Sequence, residues 1–465
     1  MLQTVANDAD HQRSQVMTSP TETSSKSALD YMPAELPGPR ARALVERDAR
    51  VMAPMGRVYP LVIERALGCE VWDVDGNRFL DMNAGIAVLA AGHSHPRLVR
   101  VAQEQVTRFT HMAGTDFYNE PMVKAAEKLV AGMPGGAGWQ VFFGNSGTEA
   151  VEASIKLARY ATGRQNIIAF FSAFHGRSYG SLSLTASKPR QRRGFFPLLP
   201  GTFHAFYANP HRPPLDSAPE HVAETCLSFI EKTLFTTTCP PDEVAAIIVE
   251  PIQGEGGYVV PAPGFLKGLR ELCDRHGILL IADEVQSGIG RTGKMWAFEH
   301  EGIVPDIVAS AKGLGGGMPI GAMIAREELA RQWQPGSHGN TYGGNGLSCA
   351  VTHEVLSLVE EELMANAATV GAHLMARLDA LRERFPQISV VRGRGLMLGV
   401  EFVDPATGQP AGALADAIME ESFRKGLLVL TCGASTIRFC PPLVLSKEQA
   451  DEAVERFALA IEACL

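Results

Sequence analysis

No run of apolar residues in this chain approaches the roughly 20 that a helix needs to span a bilayer, so no membrane-crossing segment is expected. A basic excess is also missing. The 42 Lys and Arg stand against 51 Asp and Glu, a net charge of −9, which argues against a general nucleic-acid partner. The eight cysteines (Cys69, Cys226, Cys239, Cys273, Cys349, Cys432, Cys440 and Cys464) include no CxxC pair. Neither a zinc site nor a disulfide framework is indicated, and most read as buried small hydrophobes. His93 and His95 have no carboxylate or cysteine pattern beside them, and no metal is expected. The first 35 residues are polar and Ser/Thr-rich, without the apolar core of a signal peptide. A cytoplasmic protein with a disordered leader is expected, with Met17 an alternative start. No internal repeat follows.

What is present is ordinary globular composition over 465 residues, 46% hydrophobic and 20% charged. Length alone suggests about three domains, although large α/β enzymes often use one large and one small domain. The most informative stretch is residues 281–317, IADEVQSGIGRTGKMWAFEHEGIVPDIVASAKGLGGG. Two apolar runs, residues 277–282 and 307–309, read as buried strands. Asp283 follows the first, and Lys312 comes just after the second. Ligands of open α/β sheets bind outside the carboxyl ends of the strands. A carboxylate and an amine delivered there, with glycines beside the amine, suggest a cofactor site, because lysine is the side chain that forms Schiff bases. Taken singly, Lys312 also reads as a surface residue, Asp283 as a cap and GLGGG as a flexible loop.

Other segments supply matching pieces. Residues 59–81 read as short strands joined at Asp75-Gly76, and residues 85–92 as a buried loop or short helix. Residues 96–110 fit an amphipathic helix. The strand at 139–143 runs into Gly144-Asn145-Ser146-Gly147-Thr148-Glu149, where Ser146 and Glu149 spell a capping box for a helix ending at Gly163. That turn is either a well-capped helix or an anion site, since a helix start offers free N–H groups and a positive dipole end. After the strand at 167–171 come Phe174, His175 and Arg177. Phe174 suits either the core or a ring-stacking role, and Arg177 either the surface or a bidentate carboxylate contact. Val244–Val249 ends at Glu250-Pro251, before the tight loop Gln253-Gly254-Glu255-Gly256-Gly257. Residues 338–345 form another glycine-rich loop. A long, interrupted helical region runs from Gly346 towards Arg384, followed by strands within 389–404 and 426–445. A second capping box, Ser446 and Gln449, opens the last helix.

The motifs SGTEA, FHGR, EPIQGEGG, DEVQSGIGRTG, a lysine followed by GLGGG, and NTYGGN occur in that order. With them the chain, from about residue 36 to its end, resembles the class III pyridoxal-phosphate aminotransferases of fold type I. It looks most similar to 4-aminobutyrate, ornithine and acetylornithine aminotransferases. The resemblance implies an α/β fold: a large, mostly parallel sheet flanked by helices (residues 95–350), plus a smaller α+β domain built from residues 36–94 and 351–465. It implies transfer of an amino group from an ω-amino acid to 2-oxoglutarate by a ping-pong route, in a homodimer or larger assembly with shared sites.

Carried over residue by residue, Lys312 holds the cofactor as a Schiff base and moves the proton, and Asp283 pairs with the pyridinium nitrogen. Gln286 bonds the ring oxygen, Phe174 and Val285 sandwich the ring, and Ser146, Gly147 and Thr148 hold the phosphate. His175 and Glu250 belong to the cofactor surroundings, and Thr341 reaches the neighbouring subunit's phosphate. For substrate, Arg177 takes the distal carboxylate, Arg438 the α-carboxylate, Glu255 acts as a switch on Arg438, and Ile86 and Asn340 line the pocket. The family's proline after GGN is replaced here by Gly346, in the subunit-bridging loop. The segment HMAGTDFYNEP, residues 111–121, resembles a subgroup that also contains amino-acid racemases, which keeps racemisation as the alternative. GRTGKM, residues 290–295, resembles a nucleotide-binding phosphate loop but lacks the hydroxyl residue after Lys294.

Overall fold

In the computed structural model the described residues are 35–465. The expected leader, apart from its last residue, and both candidate starts lie outside them. Near the N-terminus β1 (Ile63–Leu67), β2 (Glu70–Asp73) and β3 (Arg78–Asp81) pair antiparallel. The Asp73 carboxylate accepts from the Asp75 and Asn77 N–H groups at 3.0 and 2.7 Å, closing the expected Asp75-Gly76 turn.

The central sheet has seven strands: β4 (Trp139–Gly144), β5 (Asn166–Phe170), β6 (Thr202–Ala205), β7 (Val244–Val249), β8 (Leu279–Asp283), β9 (Ile307–Ser310) and β10 (Gly321–Arg326). Their order is 4-10-9-8-7-5-6, and only β10 runs against its neighbours. From Ala246 onward side chains alternate, Ile247 and Val249 entering one core and Ala246 and Ile248 the other. Burial on both faces is why these strands read as unbroken apolar runs rather than as alternating ones. The helix Gly147–Thr162 lays Ala150, Val151, Ile155 and Ala158 against the second of these cores. Gly163, at φ 67, ends it as expected.

Some boundaries differ from the sequence expectation. The strand expected from residue 277 begins at Leu279, because Gly277 is the left-handed cap of the preceding helix Phe265–His276. The expected interruption after Gly346 is a π turn, Val359–Leu363, which joins Gly346–Leu358 to Met364–Ala380 without a break in the helical path. The first capping box is not reciprocal. Ser146 Oγ does accept from the Glu149 N–H (3.4 Å), but the Glu149 carboxylate turns to the Asn145 N–H at 2.6 Å. The second box, Ser446 with Gln449, is complete.

Beyond the large sheet, β11 (Ile388–Arg394), β12 (Met397–Phe402), β13 (Leu427–Leu428), β14 (Leu430–Cys432) and β15 (Thr436–Phe439) follow. Four of them form a sheet ordered 11-12-15-14, while β13 pairs parallel with β3, joining the two ends of the described chain in one sheet. Among the described residues no helix is long and apolar enough to cross a membrane.

Candidate active site

Strands β4, β5, β7, β8 and β9 share one direction, so the segments that follow them emerge at one edge of the sheet. Asn145–Thr148 in sequence follow β4; Phe174, His175 and Arg177 follow β5; Glu250 follows β7; Asp283 closes β8; Lys312 follows β9. There they enclose a cavity of about 460 Å³. Ser146, Gly147, Thr148, Phe174, His175, Arg177, Glu250, Asp283, Val285, Gln286 and Lys312 all contribute to its wall.

One end is a helix start. Gly147 stands at the first helical position, and a Cβ there would lie 2.7 Å from Val285 Cγ1, so only glycine lets this turn approach Val285. The Thr148 hydroxyl is already engaged, 2.7 Å from Ser178 Oγ and 2.5 Å from Ser181 Oγ. The free donors at this end are therefore chiefly backbone N–H groups of the first turn, a ready anion site. The other end carries Asp283. Its carboxylate accepts from the Val285 N–H at 3.1 Å and lies 2.6 Å from His175 Nδ1, with both side chains buried. Burial resists charge on His175, but the bond to Asp283 and the Asp283 charge outweigh it and raise the imidazole pKa. The sequence placed His175 near the cofactor but carried no signal for this bond.

Lys312 occupies the wall between, at φ 46, a backbone region that non-glycine residues seldom adopt and that concentrates at functional sites. Burial pulls its amine below the ordinary value, more strongly than Glu255 and Asp283 pull the other way. A neutral amine is the nucleophilic form. Gln286 Oε1 is buried in the wall without a hydrogen-bond partner. Glu250 is buried beneath, accepting from the Phe174 and Gly254 N–H groups at 3.0 Å each, and burial pushes its carboxyl up to about 7. An anion cradle, a buried carboxylate, two flanking apolar side chains, an amine and an unspent amide oxygen fit a phosphorylated pyridine aldehyde.

Glu255 and Arg438 form an ion pair at 2.5 Å beside this cavity, and both act electrostatically on the Lys312 amine. Burial opposes the Glu255 charge, but Arg438 outweighs it and holds the carboxyl below its usual range. Arg438 Nε is buried without a partner, so the guanidinium keeps an unused donor. Arg177 is exposed at the cavity wall and has no carboxylate partner among the described residues. Besides Glu255 and Arg438, three further predicted residues do not reach the cavity wall within one chain. Ile86 is exposed at φ 67, while Val88, two residues on, lines the wall. Asn340 donates to the Phe143 carbonyl (3.0 Å) and accepts from the Gly343 N–H, so it shapes its loop rather than facing the cavity. Thr341 is exposed on that loop.

Glu284, next to Asp283, was not singled out from sequence, although its place in the motif was visible. It is fully buried, accepting from Ser287 Oγ (2.6 Å) and the Phe298 N–H (2.9 Å). Burial raises its carboxyl from 4.5 to about 7. The fold therefore retains a proton that the unfolded chain has lost, and stability from this group falls as pH rises from 4.5 towards 7. Glu284→Gln supplies the same acceptor and donor without a charge. Its melting temperature relative to the parent is expected to be higher at pH 8 than at pH 5, by the equivalent of about 2 kcal/mol. Melting curves of both proteins at the two pH values check this; a difference that does not change with pH contradicts it.

Sheet order and site together define a pyridoxal-phosphate transferase of fold type I. Residues 51–461 match the class-III aminotransferase family, and this chain belongs to it. It is similar to the acetylornithine aminotransferase of Methanopyrus kandleri, 44% identical over 405 residues, covering 87% of this chain and 95% of that protein. It is also similar to the alanine/serine racemase of Pyrococcus horikoshii, 40% identical over 435 residues, covering 92% and 91%. Among solved structures, an amine transaminase from an uncultivated Pseudomonas species, in its pyridoxal-phosphate-bound form, superimposes with a TM-score of 0.83. The two are 33% identical, covering 90% of this chain and 99% of that one. The protein is an aminotransferase dependent on pyridoxal phosphate, acting on small amino and oxo acids.

Proposed function

We propose that the chain moves an amino group from an ω-amino acid of the 4-aminobutyrate, ornithine or acetylornithine type to 2-oxoglutarate. The transfer occurs in two half-reactions of a ping-pong cycle, with Lys312 as the residue that holds the cofactor covalently. The observation that carries this reading is the Glu255–Arg438 pair beside Lys312. The carbon that bears a reacting ω-amine carries no carboxylate, so Glu255 then neutralises Arg438; an α-amino acid brings a carboxylate on its reacting carbon, and Glu255 yields. Arg177 receives the distal carboxylate.

Bound pyridoxal phosphate supplies an electron sink for the carbanion left when a substrate carbon loses its proton. Asp283 holds a proton at the ring nitrogen, Gln286 bonds the ring oxygen, and Phe174 and Val285 cover the ring faces. Ser146, Gly147 and Thr148 hold the phosphate, and Lys312 moves the substrate proton. Subunits pair so that Thr341 reaches the partner subunit's phosphate, with Ile86 and Asn340 near the shared mouth. Supporting the pairing, Tyr118 and Tyr342 are left exposed at 102% and 62%. A cytoplasmic location suits the seven buried cysteines, all unpaired.

Glu255→Ala tests the substrate assignment. An uncompensated buried cation costs several kcal/mol. The half-reaction with 4-aminobutyrate or ornithine is therefore expected to fall about 10- to 100-fold relative to that with glutamate. Stopped-flow cofactor absorbance, with each donor alone, measures both; equal losses refute the switch. Racemisation is the second reading, supported by the Pyrococcus relative. Interconversion of D- and L-amino acids without an oxo acid, and without any half-reaction, establishes it instead.

A further inference from the structure

The loop that carries Glu255 is gripped by a second arginine. On the C-terminal sheet Arg392 of β11 opposes Gly399 of β12, and Gly399 opposes Arg438 of β15. Residues opposed across strands share a face, so two arginines flank a position without a side chain. The loop sits over that gap. A Cβ on Gly399 would lie 2.9 Å from Thr436 Cγ2, 3.2 Å from Tyr258 Cβ and 3.4 Å from the Gly257 carbonyl oxygen.

From its side of the gap Arg392 donates twice to the Gly257 carbonyl, from Nε at 3.0 Å and Nη2 at 2.7 Å. Nη2 also donates to Thr436 Oγ1 at 3.0 Å, and Nη1 to the Glu401 carboxylate. Arg392 and Glu401 are both buried, with side chains 5% exposed, and Arg212 Nε donates to Glu401 at 2.6 Å. Burial works against the Glu401 charge, but Arg392 and Arg212 outweigh it and keep the carboxyl below its usual range. The guanidinium thus has a fixed orientation, its fork aimed at the carbonyl two residues beyond Glu255. The Glu255 carbonyl itself accepts from the Gly433 N–H at 2.8 Å. A lysine has no planar fork and cannot reproduce this set of bonds.

We infer that Arg392 is a positioning residue for substrate selection: it locks the backbone of the Glu255 loop, so that Glu255 leaves Arg438 by turning its side chain against a fixed main chain. The inference rests on the reading of Glu255 and Arg438 as a switch. It assigns Arg392 no contact with substrate or cofactor. With the lock weakened, Glu255 neutralises Arg438 less completely when an ω-amine is bound, whereas an α-carboxylate still meets Arg438.

The test uses holoenzyme carrying Arg392→Lys. Its half-reaction rate with 4-aminobutyrate or ornithine is expected to fall about tenfold relative to that with glutamate. Hydrogen exchange of the 254–259 backbone is expected to quicken by a similar factor, about tenfold. In the Glu255→Ala background the same substitution should add no further selectivity, because the side chain it positions is gone. Thr436→Val, which removes a single bond of the lock, should shift selectivity the same way but less, and serves if the lysine variant does not fold. Equal loss for both donors, unchanged exchange, or a selectivity shift that persists without Glu255 overturns the inference while the switch stands. If Glu255→Ala itself shows no selectivity, it is the switch reading that falls.

Discussion

Lys312→Ala is expected to abolish turnover while leaving cofactor binding in place. The groups at the phosphate end and Asp283 belong to other segments of the sheet edge and do not depend on the lysine side chain. On the proposed reading, what disappears is the covalent attachment and the amine that moves the substrate proton. Lost proton transfer alone removes on the order of 10²- to 10⁴-fold, and loss of the attachment adds to that. The absorbance of the covalently held cofactor, bleached by borohydride in the parent, should be missing from the variant even though cofactor travels with the protein through gel filtration. Parental activity, or an undiminished covalent band, contradicts the assignment. The surroundings explain why this lysine is suited to the task. Burial draws its amine below the ordinary value, so more of it is the free base that attacks a carbonyl.

Asp283→Asn is expected to lower kcat far more than it changes KM. The amide keeps the shape and can still bond to His175 and to the Val285 N–H. It has no negative charge with which to retain a proton at a ring nitrogen. Unit charges about 4 Å apart interact by about 4 kcal/mol at an effective dielectric constant of 20, which corresponds to roughly a thousandfold in rate. His175 makes the experiment sharper, because its raised pKa depends on the Asp283 carboxylate. In the variant the imidazole should lose its charge at a lower pH, which NMR titration of its ring would record. Steady-state kinetics decides the main point: a change confined to KM would mean that Asp283 contributes equally to ground and transition states.

The two substitutions sit at the ends of neighbouring parallel strands, Asp283 closing β8 and Lys312 following β9, yet the consequences expected of them differ because the strands deliver different chemistry to one edge. β8 ends in a carboxylate held by two donors, whereas β9 is followed by an amine on strained backbone. The register that sets Asp283 beside Ala309 brings those two functions within one cavity.

Much of this was legible in the sequence for a local reason. Strands buried on both faces appear as unbroken apolar runs, so Val244–Val249 was visible, and so were the charged residues that follow β7 and β9 and close β8. Ser146 and Gly163 bracketed their helix because caps are made within a few residues of the backbone they satisfy. The motif order identified the family and its cofactor. Tertiary structure alone decided the contacts that span the chain. His175 meets Asp283 across 108 residues and Arg392 meets the Gly257 carbonyl across 135. Neither pairing has a periodicity or a spacing, because each depends on strand order and register, and these are set by the packing of whole sheets. The same physics spent the Thr148 hydroxyl on Ser178 and Ser181 and turned Asn340 onto its own loop. A residue type states what bonds a side chain can make; the fold states which of them its neighbours have already taken.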